Sequence, residues 1–557
     1  MTYFEDYRFK HGRTVVVDEE GNQLDFCEEV KVIKVFCDLE TKALFVGITI
    51  KRADGTTMYR EYPRSAIVDN PITTLADLGL SVAPVKEYAI TISEILFDTE
   101  RSARKEYRHC CLGFRETKKG RVFLLKDAVG ADITSTYCER KLLRSKGCFA
   151  KWREGIMAHV GNRVELQLAL AIGASAPVTA MLKKLSLLDG AAVFALIGES
   201  SSGKSSALKL MASIWGKPSV SDGIIDSFVN TEAYFFSQLG QKNGFPHFVD
   251  ETSAQPGIDL TTLVYNVSLG KERGRCKPDG TPRPRKKWAG TVVFTGENSL
   301  FQQTNCNKGL FARLVEFSFP WTADAESAEA LARFIADQYG TAAVPLVEKI
   351  LTMRDGEVEA LFDKVLSGLV AQFKPQNGVE RRIMCLYAII LISASIASEA
   401  WDIPFDLAGI LRLLQEHHDD NEAVKDRTLL VCNCIKQQIL ANWAKFPENA
   451  TKYDASIWGE RDKYRQQQCV WIVTEHLHTF LKSAGEHNAK TALSSLYKKG
   501  CLAKFGDRFK KPHKIAGVTV DCYCLLLQIP STTPALPTFN SSSAQINKLL
   551  ESNDDED

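Results

Sequence analysis

The sequence has no excess of charge of either sign, and it lacks a long apolar run. Its 557 residues include 69 lysines and arginines and 68 acidic residues, which leaves a net charge of +1. Such a chain has no overall field that attracts nucleic acid, so any nucleic-acid contact requires a local basic patch. No run of about 18 apolar residues occurs, so we expect no transmembrane helix and no membrane partner. The acidic and aromatic first residues are not typical of a signal peptide.

Metal-binding cysteine patterns are also lacking. The sequence has 15 cysteines, but none are spaced as Cys-x-x-Cys. The closest pairs are Cys110 with Cys111, Cys432 with Cys434, and Cys522 with Cys524. These spacings match no zinc finger or zinc ribbon. Because several cysteines occupy apolar strand or helix positions, we interpret them as reduced core thiols and expect a cytoplasmic protein.

A glycine-rich loop after a buried strand is the most informative segment. Residues 191–197 are apolar, and the residues that follow, GESSSGKS, fit the phosphate-loop pattern G-x-x-x-x-G-K-[ST]. Such a loop points backbone N–H groups and a helix amino terminus at phosphates. We therefore expect nucleotide binding by Gly198, Glu199, Ser200, Ser201, Ser202, Gly203, Lys204, Ser205 and Ser206.

Residues in and after this loop predict ATP hydrolysis with Mg²⁺. Lys204 can reach the β- and γ-phosphates, and the Ser205 hydroxyl can hold Mg²⁺. Residues 245–249 form a short apolar strand candidate that is followed by Asp250 and Glu251. Two acidic residues after a strand are by themselves weak evidence for a catalytic site. Because a complete phosphate loop precedes them in the chain, we interpret them as a Walker B motif. Asp250 then lies beside Mg²⁺, and Glu251 orients and deprotonates the attacking water.

Residues 270–288 contain a basic run on both sides of a Pro-Asp-Gly turn. The basic residues before the turn are Lys271, Arg273, Arg275 and Lys277, and those after it are Arg283, Arg285, Lys286 and Lys287. Two basic arms around a turn predict a projecting loop or hairpin with positive potential at its tip. Such a segment would contact the phosphate backbone of DNA without reading bases. A solvated basic loop without a ligand is the alternative.

Polar and basic residues follow the next strand candidates. The strand candidate 291–295 precedes Glu297 and Asn298, either of which could sense the γ-phosphate of the nucleotide. An ordinary polar loop residue is the alternative at both positions. Arg313 stands alone among the apolar residues of 309–317. It is either a salt-bridge partner at the edge of the core or a finger that reaches the γ-phosphate of a neighbouring subunit.

Apolar spacing divides the chain into five parts and predicts a multidomain α/β fold. Residues 1–145 have strand patterns, residues 146–325 contain the phosphate-loop core, and residues 326–450 are helical throughout. Residues 451–529 have the pattern of two helices and a hairpin with a basic tip. This is typical of a winged helix, which binds duplex DNA or a protein. The composition of residues 530–557 predicts a disordered acidic tail.

With these parts in order, the chain resembles the helicase-like AAA+ ATPases of phages, plasmids and chromosomal islands, a family described as superfamily II helicases and inactivated derivatives. The family includes the replication-initiator helicases of staphylococcal cassette and pathogenicity islands, which are similar to MCM helicases. The residues that carry the resemblance are the GESSSGKS loop with its continuation in residues 211–216, Asp250 with Glu251, the basic segment 269–275, Trp288, and the Thr295-Gly-Glu sequence.

The resemblance implies an AAA+ core with a helical lid, a β-rich N-terminal domain and a C-terminal winged helix. It also implies an ATP-dependent replication helicase of a mobile genetic element, which moves on single-stranded DNA as a hexameric ring and works with replication accessory proteins. The basic segment would be the hairpin of the central channel, and Arg313 the finger for the neighbouring site. The chain departs from the pattern at Glu272, which interrupts the basic run, and at residues 282–285, whose prolines favour a loop.

Two other functions fit the same residues. One is an ATP-switched DNA-binding regulator that assembles but does not unwind DNA. The other is a protein-remodelling AAA+ machine, which requires aromatic pore loops. The aromatic residue of the basic segment, Trp288, lies at its base and not at its tip. Helicase function is therefore the principal prediction.

Overall fold

The described part of the protein is mixed α/β, with helices packed beside four β-sheets. The computed structural model describes residues 6–526 except residues 19, 132, 229–230, 253–259, 302–309, 311, 426, 449–455, 485 and 487–488. The predicted acidic tail, residues 530–557, lies outside the described residues. The multidomain α/β fold predicted from the sequence is confirmed at this level.

A mainly antiparallel sheet dominates the amino-terminal region. Its strands are β1 (Asp6–Lys10), β2 (Arg13–Val17), β3 (Gln23–Asp38), β4 (Leu44–Lys51), β5 (Thr57–Pro63) and β6 (Arg104–His109). The first five pair in chain order, and β6 pairs parallel with β3. The helices here are α1 (Arg64–Asp69), α2 (Pro71–Ala76) and α3 (Lys86–Ser102). Alternate residues of β3, such as Val30 and Val32, face an apolar core that includes Ile92 and Ile95 of α3, because strand side chains alternate between faces.

A smaller sheet joins the amino-terminal region to the next part of the chain. It contains β7 (Leu112–Thr117), β8 (Gly120–Leu124) and β9 (Ala128–Gly130), whereas β10 (Ser135–Tyr137) pairs with β6. Phe123 and Leu125 are buried in one apolar cluster with helices α4 (Phe149–Val160), α5 (Val164–Ala174) and α6 (Ala176–Lys184). The boundary at residue 145 stays a prediction, and side chains on both sides of it share this core.

A parallel five-stranded sheet forms the centre of the molecule. The elements in chain order are β11 (Ala191–Ile197), α7 (Lys204–Ser213), β12 (Ile225–Ser227), α8 (Glu232–Leu239), β13 (Lys242–Asn243), β14 (His247–Asp250), α9 (Leu260–Leu269), β15 (Gly290–Gly296) and β16 (Leu314–Phe317). The strand order is β12-β14-β15-β11-β16, while β13 pairs with β7 of the smaller sheet. Because these strands are parallel, the loops after β11, β14 and β15 meet at one edge.

A helical region follows the parallel sheet, as predicted. Its helices are α10 (Ala325–Asp337), α11 (Ala343–Thr352), α12 (Asp355–Phe373), α13 (Gly378–Trp401) and α14 (Leu407–Lys425). Among the described helices, α13 is long and apolar enough to cross a membrane, as is the bent pair of α5 and α6. The uncharged run of α13, residues 383–398, is shorter than the run of about 18 apolar residues that was used to identify a transmembrane helix from the sequence. In the structure, 67% of its most apolar window is buried, because α5, α11 and α12 pack against it.

The carboxy-terminal region has its own antiparallel sheet. Its elements are α15 (Arg427–Ala441), a short 3₁₀ helix (Trp443–Lys445), β17 (Gly459–Tyr464), β18 (Gln467–Val473), α16 (Thr474–Ser483), α17 (Ala489–Lys498), β19 (Lys510–Ile515) and β20 (Val518–Leu526). The strand order is β17-β18-β20-β19. The two predicted helices and the last hairpin are confirmed, but the β17–β18 hairpin was not predicted. Ile435 and Ile439 of α15 lie in this domain's core, although they precede the expected boundary at residue 451.

Candidate functional site

The predicted phosphate loop lies between β11 and α7. Three of its residues have positive φ angles, namely Gly198 at 144°, Ser201 at 72° and Gly203 at 81°. A Cβ atom on Gly203 would lie 2.5 Å from Oγ1 of Thr322, so only glycine fits this turn. Gly203 directly precedes α7, and the first N–H groups of a helix have no partner within the helix. The loop therefore has the backbone donors that a phosphate group requires.

The Lys204 side chain is folded into this loop. The residue is only 8% exposed, which is unusual for lysine. Its Nζ donates hydrogen bonds to the carbonyl oxygens of Gly198 at 2.7 Å and Glu199 at 2.6 Å, and to Oγ of Ser202 at 3.3 Å. The ammonium charge is thus held at the centre of the loop. The loop glycines, Lys204 and the Ser205 hydroxyl on the first turn of α7 form a donor set that fits a triphosphate with Mg²⁺.

The ends of β11 and β15 are joined directly. The backbone N–H of Gly198 donates to the carbonyl of Gly296 at 3.3 Å, and Oγ of Ser200 donates to the Glu297 carboxylate. Glu297 therefore contacts the phosphate loop. Asn298 is exposed one residue further along the chain, and its role as a γ-phosphate sensor stays a prediction.

A threonine links the two predicted acidic residues to the neighbouring strand. Oγ1 of Thr295 donates to Oδ1 of Asp250 at 2.5 Å and accepts a hydrogen bond from the backbone N–H of Glu251 at 3.0 Å. Glu251 has a φ of 60°, a conformation that costs a non-glycine residue about 1–3 kcal/mol. Thr295 therefore fixes the position of both acids. No sequence pattern indicated this role, because it depends on the pairing of β14 with β15.

Thr295→Val should impair hydrolysis without changing the fold. The substitution keeps the shape of the side chain but removes both hydrogen bonds, so Asp250 and Glu251 lose their support. We expect ATP hydrolysis to fall roughly 10-fold or more and its Mg²⁺ requirement to rise. Thr291→Val is the matched control, because it removes a buried hydrogen bond to Ser175 (2.7 Å) elsewhere in β15. A Mg²⁺ titration that shifts equally in both variants would contradict the assignment.

Glu316 holds the segment that follows Glu297 and Asn298. Its carboxylate accepts hydrogen bonds from Oγ of Ser299 at 2.6 Å and from the backbone N–H of Phe301 at 3.2 Å. Burial raises the pKa of the Glu316 carboxyl to about 7. The carbonyl of Glu316 contacts Nε2 of His417 at 2.7 Å, which joins the strand to α14. The sequence analysis did not find this residue, because a single glutamate in an apolar strand has no distinctive pattern.

The raised pKa of Glu316 should make stability depend on pH. Folding favours the protonated carboxyl, so its stabilisation is present below about pH 4.5 and is lost as the pH rises to about 7. This corresponds to roughly 3 kcal/mol across that window. Glu316→Gln mimics the protonated acid, so its Tm should fall less than that of the wild type between pH 5 and pH 8. Parallel Tm curves for the two proteins would show that Glu316 does not titrate in this range.

Arg313 lies immediately before β16, which pairs with the phosphate-loop strand β11. Its guanidinium is 4.7 Å from the centre of the Tyr265 ring on α9, in a cation–π geometry. The side chain is half-buried. The segment before it, residues 302–309 and 311, lies outside the described residues. The structure therefore places Arg313 against an aromatic ring of its own chain, and its role as a finger stays a prediction.

The basic segment 271–287 forms two paired arms, which we call the basic hairpin. Lys271 pairs with Lys287 and Cys276 with Pro282, and the backbone N–H of Arg283 donates to the carbonyl of Arg275 at 2.8 Å. Of its eight basic residues, seven are exposed, namely Lys271, Arg273, Arg275, Lys277, Arg283, Arg285 and Lys287. Lys286 is half-buried, and its Nζ donates to Oγ of Ser237 at 2.8 Å. The residue that interrupted the basic run, Glu272, is buried at the base of the hairpin and is only 8% exposed.

The base of the basic hairpin is firmly held. Trp288 is buried, stacks on Phe236 and donates from Nε1 to the carbonyl of Val267 at 2.9 Å. Lys183 donates from Nζ to the carbonyl of Trp288. The next residues form β15, which runs in register with β11 to Gly296 at the opposite edge. The basic hairpin and Glu297 therefore lie at the two ends of one buried strand.

The described cysteines are free thiols, and seven of them are buried, including Cys27, Cys111 and Cys432. Among the residues with described placement, no three His, Cys, Asp or Glu side chains are grouped as metal ligands would be. The two metal ligands predicted from the sequence, Ser205 and Asp250, stay a prediction.

Comparisons with known proteins cover both ends of the chain. A family model described as a domain of unknown function, DUF927, matches residues 10–287, and a model described as the Cch helix turn helix domain matches residues 431–529. The solved structure titled "SCCmec type IV Cch - active helicase" has a TM-score of 0.69 and 23% sequence identity, and the match covers 94% of this chain and 98% of that chain. The two proteins share a fold. No curated protein matches the chain.

Two other solved structures overlap this chain only weakly. The C-terminal region of NrS-1 is 11% identical with a TM-score of 0.23, over 66% of this chain and 87% of that chain. A JCV helicase is 15% identical with a TM-score of 0.17, over 47% of this chain and 62% of that chain. Superpositions this poor support no conclusion about the site.

Proposed function

We propose that the protein is an ATP-dependent DNA helicase of a mobile genetic element, with an AAA+ core similar to that of MCM helicases. The observation that carries the proposal is the meeting of the Lys204 loop, the Asp250–Thr295–Glu251 chain and Glu297 at one edge of a parallel sheet. In the parallel sheet, β15 lies between β11, which leads into the phosphate loop, and β14, which ends in Asp250. This strand order supports an AAA+ core. The fold shared with a protein titled an active helicase supports the same assignment.

Each residue at this edge has a chemical role in the proposal. Lys204 and the loop N–H groups bind the phosphates, and Ser205 and Asp250 hold Mg²⁺. When bound there, Mg²⁺ would supply positive charge beside the phosphate oxygens. Glu251 orients the attacking water and accepts its proton. Glu297 and Asn298 respond to the terminal phosphate, because Glu297 already contacts the loop through Ser200.

The proposed assembly is a homo-oligomeric ring, most simply a hexamer. In a ring, Arg313 of one subunit leaves Tyr265 and reaches the nucleotide of the next subunit, where its charge stabilises the transferring phosphoryl group. The cation–π contact with Tyr265 is then the resting position of the finger. Size-exclusion chromatography with light scattering, with and without ATP, measures the subunit number.

The basic hairpin is proposed to hold single-stranded DNA in the channel of the ring. Its seven exposed cations suit phosphate contacts that do not depend on base sequence. The rigid strand β15 joins the base of the basic hairpin to the nucleotide edge, so loss of the γ-phosphate can change the position of the basic hairpin. In this way ATP hydrolysis can be coupled to movement along the single-stranded DNA.

An ATP-switched DNA-binding regulator remains the second candidate. It is favoured by the match of residues 431–529 to a helix turn helix domain, since such domains bind duplex DNA without unwinding it. ATP hydrolysis with and without single-stranded DNA, beside unwinding of a forked duplex, separates the two. A helicase hydrolyses ATP faster with single strands and opens the fork. Binding and hydrolysis without opening at any protein concentration would support the regulator and contradict the helicase.

A further inference from the structure

Two partly exposed cysteines lie side by side where the parallel strands β6 and β10 end. The last residues of these strands, His109 and Tyr137, are register partners, and the backbone N–H of Cys138 donates to the carbonyl of His109 at 2.9 Å. Cys110 and Cys138 are therefore the next neighbours across the two strands. We propose that Cys110 and Cys138 are a redox-active dithiol, which a hydroperoxide oxidises to an intramolecular disulfide.

The spacing of the two strands fits a disulfide. Neighbouring strands lie about 4.8 Å apart, and the Cα atoms of disulfide-linked cysteines lie about 4.4–6.8 Å apart. Both residues are free thiols, and the Cys138 thiol is hydrogen-bonded to the sulfur of Cys110. The two sulfur atoms can therefore join without a large movement of either strand.

Arg108 makes Cys110 a reactive thiol. Its Nη2 donates to Sγ of Cys110 at 3.4 Å, and its Nη1 donates to Oε2 of Glu61 at 3.0 Å, which fixes the guanidinium. Hydrogen bonds from Cys138 and from Arg108 lower the pKa of the Cys110 thiol to about 6. Burial and the Asp38 carboxylate act in the opposite direction. Cys110 is therefore a thiolate at neutral pH, and the thiolate is the form that attacks a peroxide.

Cys138 is suited to the second step of the oxidation. Its hydrogen bond to Cys110, and then burial, raise the pKa of the Cys138 thiol well above its ordinary range. The Glu139 carboxylate acts in the same direction, and Arg108 acts against it. Cys138 therefore stays protonated beside the Cys110 thiolate, and this restraint is removed once the negative charge on Cys110 is lost.

The reaction uses the two sulfur atoms in turn. The Cys110 thiolate attacks one oxygen of the hydroperoxide, the O–O bond breaks, and a sulfenic acid forms on Cys110. The Cys138 thiol then gives up its proton and attacks the Cys110 sulfur, so that the S–S bond forms as the S–O bond breaks. The two thiols lose two electrons and two protons in total. Hydrogen peroxide takes them up and is reduced to two waters.

Solvent access distinguishes this pair from two other pairs of thiols. Cys138 lines a cleft of about 720 Å³, and Cys110 is half-buried. The other hydrogen-bonded pairs, Cys432 with Cys501 and Cys469 with Cys524, are buried. A peroxide therefore reaches the first pair, and the buried pairs serve as internal controls.

The nearest potential metal ligands are held by other contacts. The two ring nitrogens of His109 contact Oγ of Ser135 at 2.9 Å and the carbonyl of Leu125 at 2.7 Å. The Cys111 thiol donates to Oε2 of Glu40 at 2.6 Å, and burial raises its pKa to about 11. Neither side chain is placed to join the two cysteines as a metal ligand. The pair also lies outside the nucleotide edge and the basic hairpin, so its chemistry does not depend on the proposed function.

Oxidation of the full chain by hydrogen peroxide tests the dithiol. The protein is reduced, freed of reductant and treated with an equimolar amount of peroxide at neutral pH. The remaining thiols are then alkylated, and the chain is digested with trypsin. Residues 109–115 should be recovered joined to residues 127–140 by a disulfide, in most of the protein, and dithiothreitol should separate them. The two buried thiol pairs should stay reduced.

Substitutions assign this link to the two sulfur atoms. Cys110→Ser and Cys138→Ser should abolish it, and in Cys138→Ser the oxidation should stop at a Cys110 sulfenic acid that dimedone labels. Cys111→Ser is the matched control and should keep the link, because the Cys111 thiol is bonded to Glu40. Recovery of the link from Cys110→Ser, or its loss in Cys111→Ser, overturns the proposal. Equal oxidation of the buried pairs overturns it as well.

The rate of alkylation of Cys110 by iodoacetamide, followed against pH, tests the hydrogen bond from Cys138. The wild-type rate should rise with pH through a midpoint of about 6. Cys138→Ser keeps a hydroxyl donor and should keep a low midpoint, whereas Cys138→Ala should move the midpoint toward about 8.5, the value of an ordinary thiol. A wild-type midpoint near about 8.5 would contradict the assignment of Cys110 as the attacking thiolate.

Discussion

Replacing Lys204 by alanine is expected to abolish ATP hydrolysis, with a loss of at least about 100-fold in rate. The ammonium of Lys204 is the cation enclosed by the phosphate loop, where it contacts Gly198, Glu199 and Ser202. Without it, the loop N–H groups and Mg²⁺ must neutralise the phosphates alone. ATP affinity should fall as well, because the same charge acts on the bound substrate.

The matched control for this variant is Lys209→Ala on the same helix. Lys209 lies further along α7 and is half-buried, so the substitution tests for a general effect of removing a lysine from the helix. Lys204→Ala should keep the far-UV spectrum and the DNA affinity of the wild type. Hydrolysis by Lys204→Ala within about threefold of the Lys209→Ala rate would contradict the assignment of the loop.

Replacing Lys271, Arg273 and Arg275 by alanine is expected to separate hydrolysis from unwinding. These cations are exposed on one arm of the basic hairpin, while its base is held by Trp288 and the buried Glu272. The variant should therefore keep its DNA-free hydrolysis. It should lose the stimulation by single-stranded DNA, and unwinding of a forked duplex should fall below detection.

The salt dependence of DNA binding gives an independent measure of the same variant. Three lost phosphate contacts should lower the slope of log affinity against log salt by about 2. The control variant with Lys151, Arg333 and Arg412 replaced by alanine removes the same number of charges and should unwind normally. Normal unwinding by the hairpin variant would show that another surface moves the DNA.

The phosphate loop could be predicted because its signal is local. Strand 191–197, the glycine turn and the helix after it follow each other in the chain, and the φ angles at Gly198 and Gly203 explain the glycines. The same is true of β14 with its terminal acids and of the two arms around the Pro-Asp-Gly turn. The helices of residues 474–483 and 489–498 were also predicted from their apolar spacing.

Other elements were not predicted, because their local sequence pattern is weak or because packing against distant residues determines their structure. Helix α3 was not predicted within a region expected to be β-rich, and the β17–β18 hairpin has polar residues at its turn. Glu272 was interpreted as an interruption of the basic run, but its side chain is buried at the base of the hairpin. A sequence pattern does not show which way such a side chain points.

The sequence by itself determined which chemical groups lie at the edge of the parallel sheet, since Lys204, Asp250 and Glu251 are recognised from short, continuous motifs. Only the tertiary structure decided how these residues are held, because their supports come from distant parts of the chain. Thr295 reaches Asp250 through strand pairing, and Glu316 anchors the segment after Asn298. Strand order and packing bring these residues together, and neither is encoded in a local pattern.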